Sequence, residues 1–167
     1  MKPAERAQAA RTMRRDQGVD QRYDDDPYRT SAKPPEPTVC SDCKAVFSDG
    51  RWTWGEAPED AYAQLCPACQ RIRDRFPAGY VTIKGQFFEE HRDEILHLIE
   101  NHGNREKELR PLQRNMAIDE KREGIEVTTT DSHLARGIAE ALQSAYKGDL
   151  KLRYSRDENL VRATWKR

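Results

Sequence analysis

Four cysteines are the residues of this sequence whose type and spacing point most directly to chemistry. Cys40 and Cys43 form one CxxC pair, and Cys66 and Cys69 form a second pair after 22 intervening residues. Each pair presents two thiolates from a tight turn, and the loop between them allows the four sulfurs to surround one Zn²⁺ ion. Because sulfur fills all four positions and leaves none for water, we expect the zinc to be structural rather than catalytic.

The cysteines also permit a redox role, which we weigh against zinc binding. Neither CxxC pair has the strand-to-helix context of a thioredoxin-like site, although oxidation of an all-sulfur site could release its zinc and act as a thiol-based switch. The N-terminal segment MKPAERAQAARTMRR lacks the apolar stretch of a secretory signal. We therefore expect a reducing, cytoplasmic location, in which thiolates bind metal rather than form disulfides.

Basic residues form a second group with possible chemistry, because arginines beside a metal site often contact phosphate. Arg71, Arg73 and Arg75 follow the second cysteine pair on a predicted short helix that Pro77 and Gly79 end. A solvated helix face explains these three arginines equally well.

The last 21 residues contain seven Lys and Arg against three acidic residues, with Tyr154 and Trp165 among them. Basic side chains with interleaved aromatics on one strand face are typical of a nucleic-acid surface. The alternative is a solvated edge hairpin. The RNA-contact candidates at this end of the chain are Lys151, Arg153, Arg156, Arg162 and Lys166.

Three regions would position these residues. Residues 1–37 carry charge in blocks and end in a proline-rich linker, which predicts a disordered tail or an arm that folds onto a partner. Residues 38–79 form the expected zinc module, which resembles a zinc ribbon with a hairpin turning at Asp49-Gly50. Zinc would stabilise a unit of this size, which is too small for a large core.

Residues 80–167 alternate between strand and helix patterns. One predicted helix covers 89–103 with Ile95 and Ile99 facing inward and Gly103 as its C-cap, and Asp131 or Ser132 begins a second helix. The full order is β-α-β-β-α-β-β, which predicts a ferredoxin-like split βαβ sheet with one extra strand. The expected fold class is therefore α+β.

Composition limits the possible functions. The 167 residues are 36% hydrophobic and carry 29 Lys and Arg against 29 Asp and Glu, with a mean hydropathy of −1.01. This excludes a membrane-spanning segment and argues against nucleic-acid binding through bulk charge, so any such contact must come from local patches. Without a glycine-rich phosphate loop, HExxH or GxSxG, the sequence predicts a protein that is not an enzyme and has no evident small-molecule substrate.

The two CxxC pairs, the stretch GIEVTTTDSHLARGIAEALQSAYKG and the final LVRATWKR together resemble the N-terminal zinc-binding portion of the Nmd-type large-ribosomal-subunit adaptors. The resemblance covers about residues 38–167 and is that of a stand-alone, bacterial version. It implies that the four cysteines bind zinc and that the region after them grips ribosomal RNA or a ribosomal protein. Members of that family carry further cysteine pairs and β-barrel domains that this sequence lacks.

The expected function is therefore that of a non-enzymatic zinc protein that binds the ribosome or ribosomal RNA, in assembly, quality control or dormancy. The alternative is a protein–protein adaptor or stress regulator with a purely structural zinc, whose acidic helix or DDDPYR segment binds a ribosomal or regulatory protein.

Overall fold

A computed structural model describes residues 27–28, 33–156 and 159–167. The predicted disordered tail at residues 1–37 falls mostly outside these ranges. The described residues form four helices and two sheets, which confirms the α+β class. No helix among them is long and apolar enough to cross a membrane.

All four cysteines lie in or beside the smaller sheet and the helix that follows it. The elements are β1 Thr38–Val39, β2 Val46–Ser48, β3 Arg51–Thr53, β4 Tyr62–Ala63 and α1 Pro67–Asp74. The strands lie in the order β3-β2-β1-β4. The turn between β2 and β3 lies at Asp49 and Gly50, which both have a positive φ, of 52° and 75°. Two such residues are typical of a tight hairpin and confirm the predicted turn.

The larger sheet follows the predicted order of elements, except that the first helix is divided in two at His91. The elements are β5 Gly79–Lys84, α2 Gln86–Glu90, α3 Arg92–Leu109, β6 Asn115–Lys121, β7 Gly124–Thr129, α4 Ser132–Tyr146, β8 Asp149–Ser155 and β9 Leu160–Lys166. The strands lie in the order β6-β7-β5-β9-β8.

The pairing of the strands has the split βαβ arrangement at one side and an added strand at the other. β7 lies between β5 and β6 and is antiparallel to both. The C-terminal hairpin places β9 beside β5 and parallel to it, with β8 at the edge. The strand added to the ferredoxin-like sheet is therefore β9, which lies inside the sheet rather than at its edge.

Both long helices pack on one face of the larger sheet. Val81 and Ile83 of β5 and Trp165 of β9 are fully buried against Ile95 of α3 and Ile138 of α4. Because side chains alternate along a strand, the residues between these inward-facing ones point to the opposite face. The packing therefore leaves one sheet face for contacts other than the core.

The predicted end of the first long helix at Gly103 is wrong, since α3 continues to Leu109. Gly103 is buried inside the helix, where a Cβ atom would lie 2.7 Å from Asn115 Cγ. The glycine therefore allows a close approach of the β6 strand rather than a left-handed helix end. The second long helix begins as predicted, because the Asp131 side chain accepts hydrogen bonds from the backbone N–H groups of His133 and Leu134.

Candidate metal centre and open sheet face

The four cysteine sulfurs converge on one point. All four Sγ atoms lie within 4.8 Å of one another, and Cys43 Sγ is 3.8 Å from Cys66 Sγ. Four sulfurs at about 2.3 Å from a tetrahedral zinc ion would be about 3.8 Å apart, so this separation fits a metal site. It is too long for a disulfide bond, and the four residues are free cysteines. A four-sulfur set suits zinc or iron.

Local backbone geometry holds the first cysteine pair. Cys40 N–H donates to Ala45 O at 2.7 Å, and Lys44 N–H donates to Cys40 O at 3.1 Å. Lys44 has a φ of 69°, which turns the chain sharply after Cys43. This turn directs both thiols toward the second pair.

The second cysteine pair lies at the start of α1. Cys66 is the N-cap of this helix, and its Sγ accepts from Cys69 N–H at 3.4 Å. Cys66 N–H donates to Cys40 Sγ at 3.3 Å, and the parallel pairing of β1 with β4 brings the two turns side by side. The site therefore depends on strand pairing as well as on cysteine spacing.

The protein environment shifts the pKa values of the cysteine thiols in different directions. Burial raises the pKa of the Cys40 thiol, but hydrogen bonds from backbone N–H groups outweigh it and lower that pKa to about 6. Burial raises the pKa of the Cys66 and Cys69 thiols. A bound cation ionises all of its thiol ligands, so with metal bound all four cysteines would be thiolates.

A residue far from the cysteines in sequence, Arg114, also contacts the cluster. Its guanidinium donates to Cys43 Sγ at 3.0 Å, to Cys69 Sγ at 3.3 Å and to Cys66 Sγ at 3.4 Å. Burial lowers the pKa of Arg114, but its contacts with the cysteines outweigh this and raise it. Sequence reasoning missed Arg114 because no local pattern links it to cysteines 45 or more residues away.

The structure places the three arginines after the second pair in different environments. Arg71 is only 2% exposed and donates to Phe76 O at 3.0 Å, with its guanidinium 4.5 Å from the centre of the Tyr28 ring. Arg73 is exposed and forms an ion pair with Asp42 at 3.2 Å. Arg75 is exposed and has the left-handed conformation at the end of α1. Burial therefore removes Arg71 from the residues available to a partner.

The C-terminal candidates lie together on the sheet face opposite the helices. Arg153 pairs with Arg162, and Arg162 pairs with Tyr80 of β5. In the next row Lys151 pairs with Thr164, which pairs with Thr82. Side chains of directly paired residues share a face, so these strands form one continuous surface.

A third row completes this surface, with Lys166 between Lys84 and Asp149. We call the resulting surface the open sheet face. Its basic half contains five cations and one carboxylate and comprises Tyr80, Thr82, Lys84, Asp149, Lys151, Arg153, Arg162, Thr164 and Lys166. The other half is more acidic, with Asp119 paired to Glu126 and an ion pair of 3.3 Å between Glu126 and Lys121.

The aromatic residues predicted for this surface are not on it. Trp165 is fully buried, and Tyr154 pairs with Val161 on the helix-covered face. Their place is taken by Tyr80, whose ring lies 4.2 Å from the guanidinium carbon of Arg162. The alternation in GYVTIK, with Val81 and Ile83 inward, was the signal that could have identified Tyr80.

The last candidate, Arg156, lies beyond the end of β8 and is exposed, next to residues 157–158, which are outside the described ranges. The strand pairing ends at Ser155, so Arg156 is not one of the paired residues that form the open sheet face.

Comparison of the chain with protein-family models and with curated proteins gives no match. The site therefore has to be interpreted from its own geometry.

Proposed function

We propose that this protein is a non-enzymatic zinc protein that binds ribosomal RNA on the ribosome through its open sheet face. The observation that carries the proposal is the basic half of that face, where four cations from three neighbouring strands surround the stacked pair of Tyr80 and Arg162. The four are Lys84, Lys151, Arg153 and Lys166, and Arg162 is the fifth cation of the face.

The chemistry of this surface suits RNA better than a small molecule. A sheet face that offers an aromatic ring for base stacking and cations for phosphates is a recurring way to bind single-stranded RNA. Arg162, Arg153, Lys151 and Lys166 are exposed, and none of them has an ion pair with a carboxylate of the described residues. They are therefore available to bind phosphates.

The uneven charge of the face supports a directed contact. Asp119 and Glu126 on β6 and β7 would repel phosphates and so confine RNA to strands β5, β9 and β8. This explains how a chain with no net charge can bind RNA at one place without coating it.

Zinc in this proposal is structural, held by Cys40, Cys43, Cys66 and Cys69. It would fix the small sheet, whose own core consists of little more than the cysteines and a few apolar residues. The resemblance to Nmd-type adaptors is consistent with such a site beside a ribosome-binding unit, and it favours a role in assembly, quality control or dormancy.

A second candidate function is protein–protein adaptation, favoured by the acidic surface of α2 and α3. Six exposed carboxylates on these helices, Glu89, Glu90, Asp93, Glu94, Glu100 and Glu108, would suit a basic protein partner.

Gradient sedimentation with ribosomal particles tests the proposal and separates the two candidates. The zinc-loaded full chain should move with the particles at low salt and leave them as salt rises, because phosphate contacts release counterions. If it stays at the top of the gradient at low salt, with zinc bound and the fold intact, the proposal is wrong. Partners that persist after nuclease treatment would indicate the adaptor.

A further inference from the structure

The cysteine cluster is in contact with a cation, Arg114, that lies outside the small sheet. Arg114 immediately precedes β6, and its guanidinium reaches sulfurs of both cysteine pairs at 3.0 to 3.4 Å. The residue is 8% exposed. A guanidinium this buried requires a negative partner, and four thiolates around a divalent ion carry a net charge of 2−.

The larger sheet fixes the position of Arg114. Its backbone N–H donates to Thr130 Oγ1 at 2.9 Å, and its carbonyl accepts from Thr130 N–H at 2.9 Å. Its Nε donates to Pro111 O at 2.6 Å. These bonds hold the guanidinium in place independently of the sulfurs.

Two other contacts join the small sheet to the same region. Trp54 Nε1 donates to Lys107 O in α3 at 2.7 Å, and Leu112 packs against the cysteine cluster. Arg114 is therefore part of an interface between residues 38–79 and the larger sheet, not an isolated contact.

We propose that Arg114 is an outer-sphere partner of the metal centre that couples metal binding to the docking of residues 38–79 onto the larger sheet. On metal binding the four thiols would lose their protons, and the resulting thiolates would carry the negative charge that the buried guanidinium needs, while the docked guanidinium would stabilise those thiolates. Such coupling is reciprocal, so docking strengthens metal binding by the factor by which metal strengthens docking. This inference does not depend on RNA binding.

Zinc affinity of the full chain, measured by competition with a chromophoric chelator, tests the coupling. The variant Arg114→Met removes the donors and keeps most of the apolar side chain, and its zinc affinity should fall about 10- to 100-fold. The matched control is Arg73→Met, which removes an equal charge beside Asp42, since the Arg73 guanidinium donates to the Asp42 carboxylate rather than to a cysteine sulfur. Its affinity should change by less than about 3-fold. Equal affinities for Arg114→Met and wild type would overturn the proposal.

Hydrogen exchange is a second measurement. A purely local effect on the cysteines would not change amide exchange rates outside the small sheet. Removing zinc from the wild-type protein should speed amide exchange at Thr130 and Arg114, although both are outside the small sheet. Exchange that rises only within residues 38–79 would overturn the proposal. Where circular dichroism shows that Arg114→Met does not fold, Arg114→Lys takes its place, since it keeps the charge and loses the fork of donors. Wild-type zinc affinity in that variant would equally contradict the coupling.

Discussion

Neutralising Lys151 and Arg153 together should reduce the salt dependence of RNA binding by a calculable amount. Both side chains are exposed on the open sheet face, on the edge strand β8, so the double variant Lys151→Gln/Arg153→Gln should remove two phosphate contacts without affecting the core. The measurement is the binding of a single-stranded ribosomal RNA fragment across a salt series, by fluorescence anisotropy.

The expected magnitude follows from the number of cations on the face. If the five cations Lys84, Lys151, Arg153, Arg162 and Lys166 each neutralise one phosphate, the slope of log K against log salt is about −3.5, at about −0.7 for each contact. Affinity then falls about 130-fold between 50 and 200 mM salt. Three remaining cations give a slope of about −2.1 and a fall of about 18-fold.

The matched control changes the same net charge away from the face. Arg105→Gln/Lys107→Gln alters two exposed residues of α3, and its slope should remain that of the wild type. If the two double variants reduce the slope of log K against log salt equally, RNA binding depends on the net charge of the protein and not on the open sheet face. An unchanged slope in Lys151→Gln/Arg153→Gln would refute the assignment of the surface directly.

Three further predictions concern the metal and the fold. Metal analysis should find one zinc per chain. Cys66→Ser should abolish stoichiometric binding, because serine can still cap α1 but removes one of the four sulfurs that would hold the metal; full zinc retention would contradict the four-sulfur site. Gly79→Ala should lower the free energy of unfolding by about 1–3 kcal/mol in urea titrations, because its Cβ would clash with Ala135 Cβ, whereas Gly55→Ala, with open space around it, should have little effect. Asp131→Ala should cost about 0.5–2 kcal/mol by the same measurement through loss of the α4 cap, while Asp131→Asn should retain most of it; equal losses in the two variants would show that capping is not the cause.

Local sequence signals predicted the parts of this fold that local chemistry determines. The Asp49-Gly50 turn and the Asp131 cap depend on residues within a few positions of one another, so a single sequence contains the information. The CxxC spacing likewise brings the two thiols of each pair close together. Because the sequence contains no other cysteine, a four-sulfur site can form only from these two pairs.

The features that sequence reasoning missed depend on contacts between distant segments. Gly103 looks like a helix end until Asn115 of β6 is seen to occupy the space of its missing side chain. The sequence predicts Tyr154 on the basic surface, but its pairing with Val161 turns it to the helix side, and the aromatic residue on the basic surface is Tyr80, which pairs with Arg162. Arg114 reaches the cysteines only because Thr130 holds the start of β6 beside them.

The most direct test of the proposed function is to map where ribosomal RNA touches the protein. Zinc-loaded protein would be cross-linked by ultraviolet light to 4-thiouridine-labelled ribosomal RNA, and the modified peptides would be identified by mass spectrometry. We predict adducts on the β5 peptide that contains Tyr80 and on the peptides of β8 and β9. Adducts confined to residues 38–79 or to helices α3 and α4, or no adducts at low salt, would contradict RNA binding by the open sheet face.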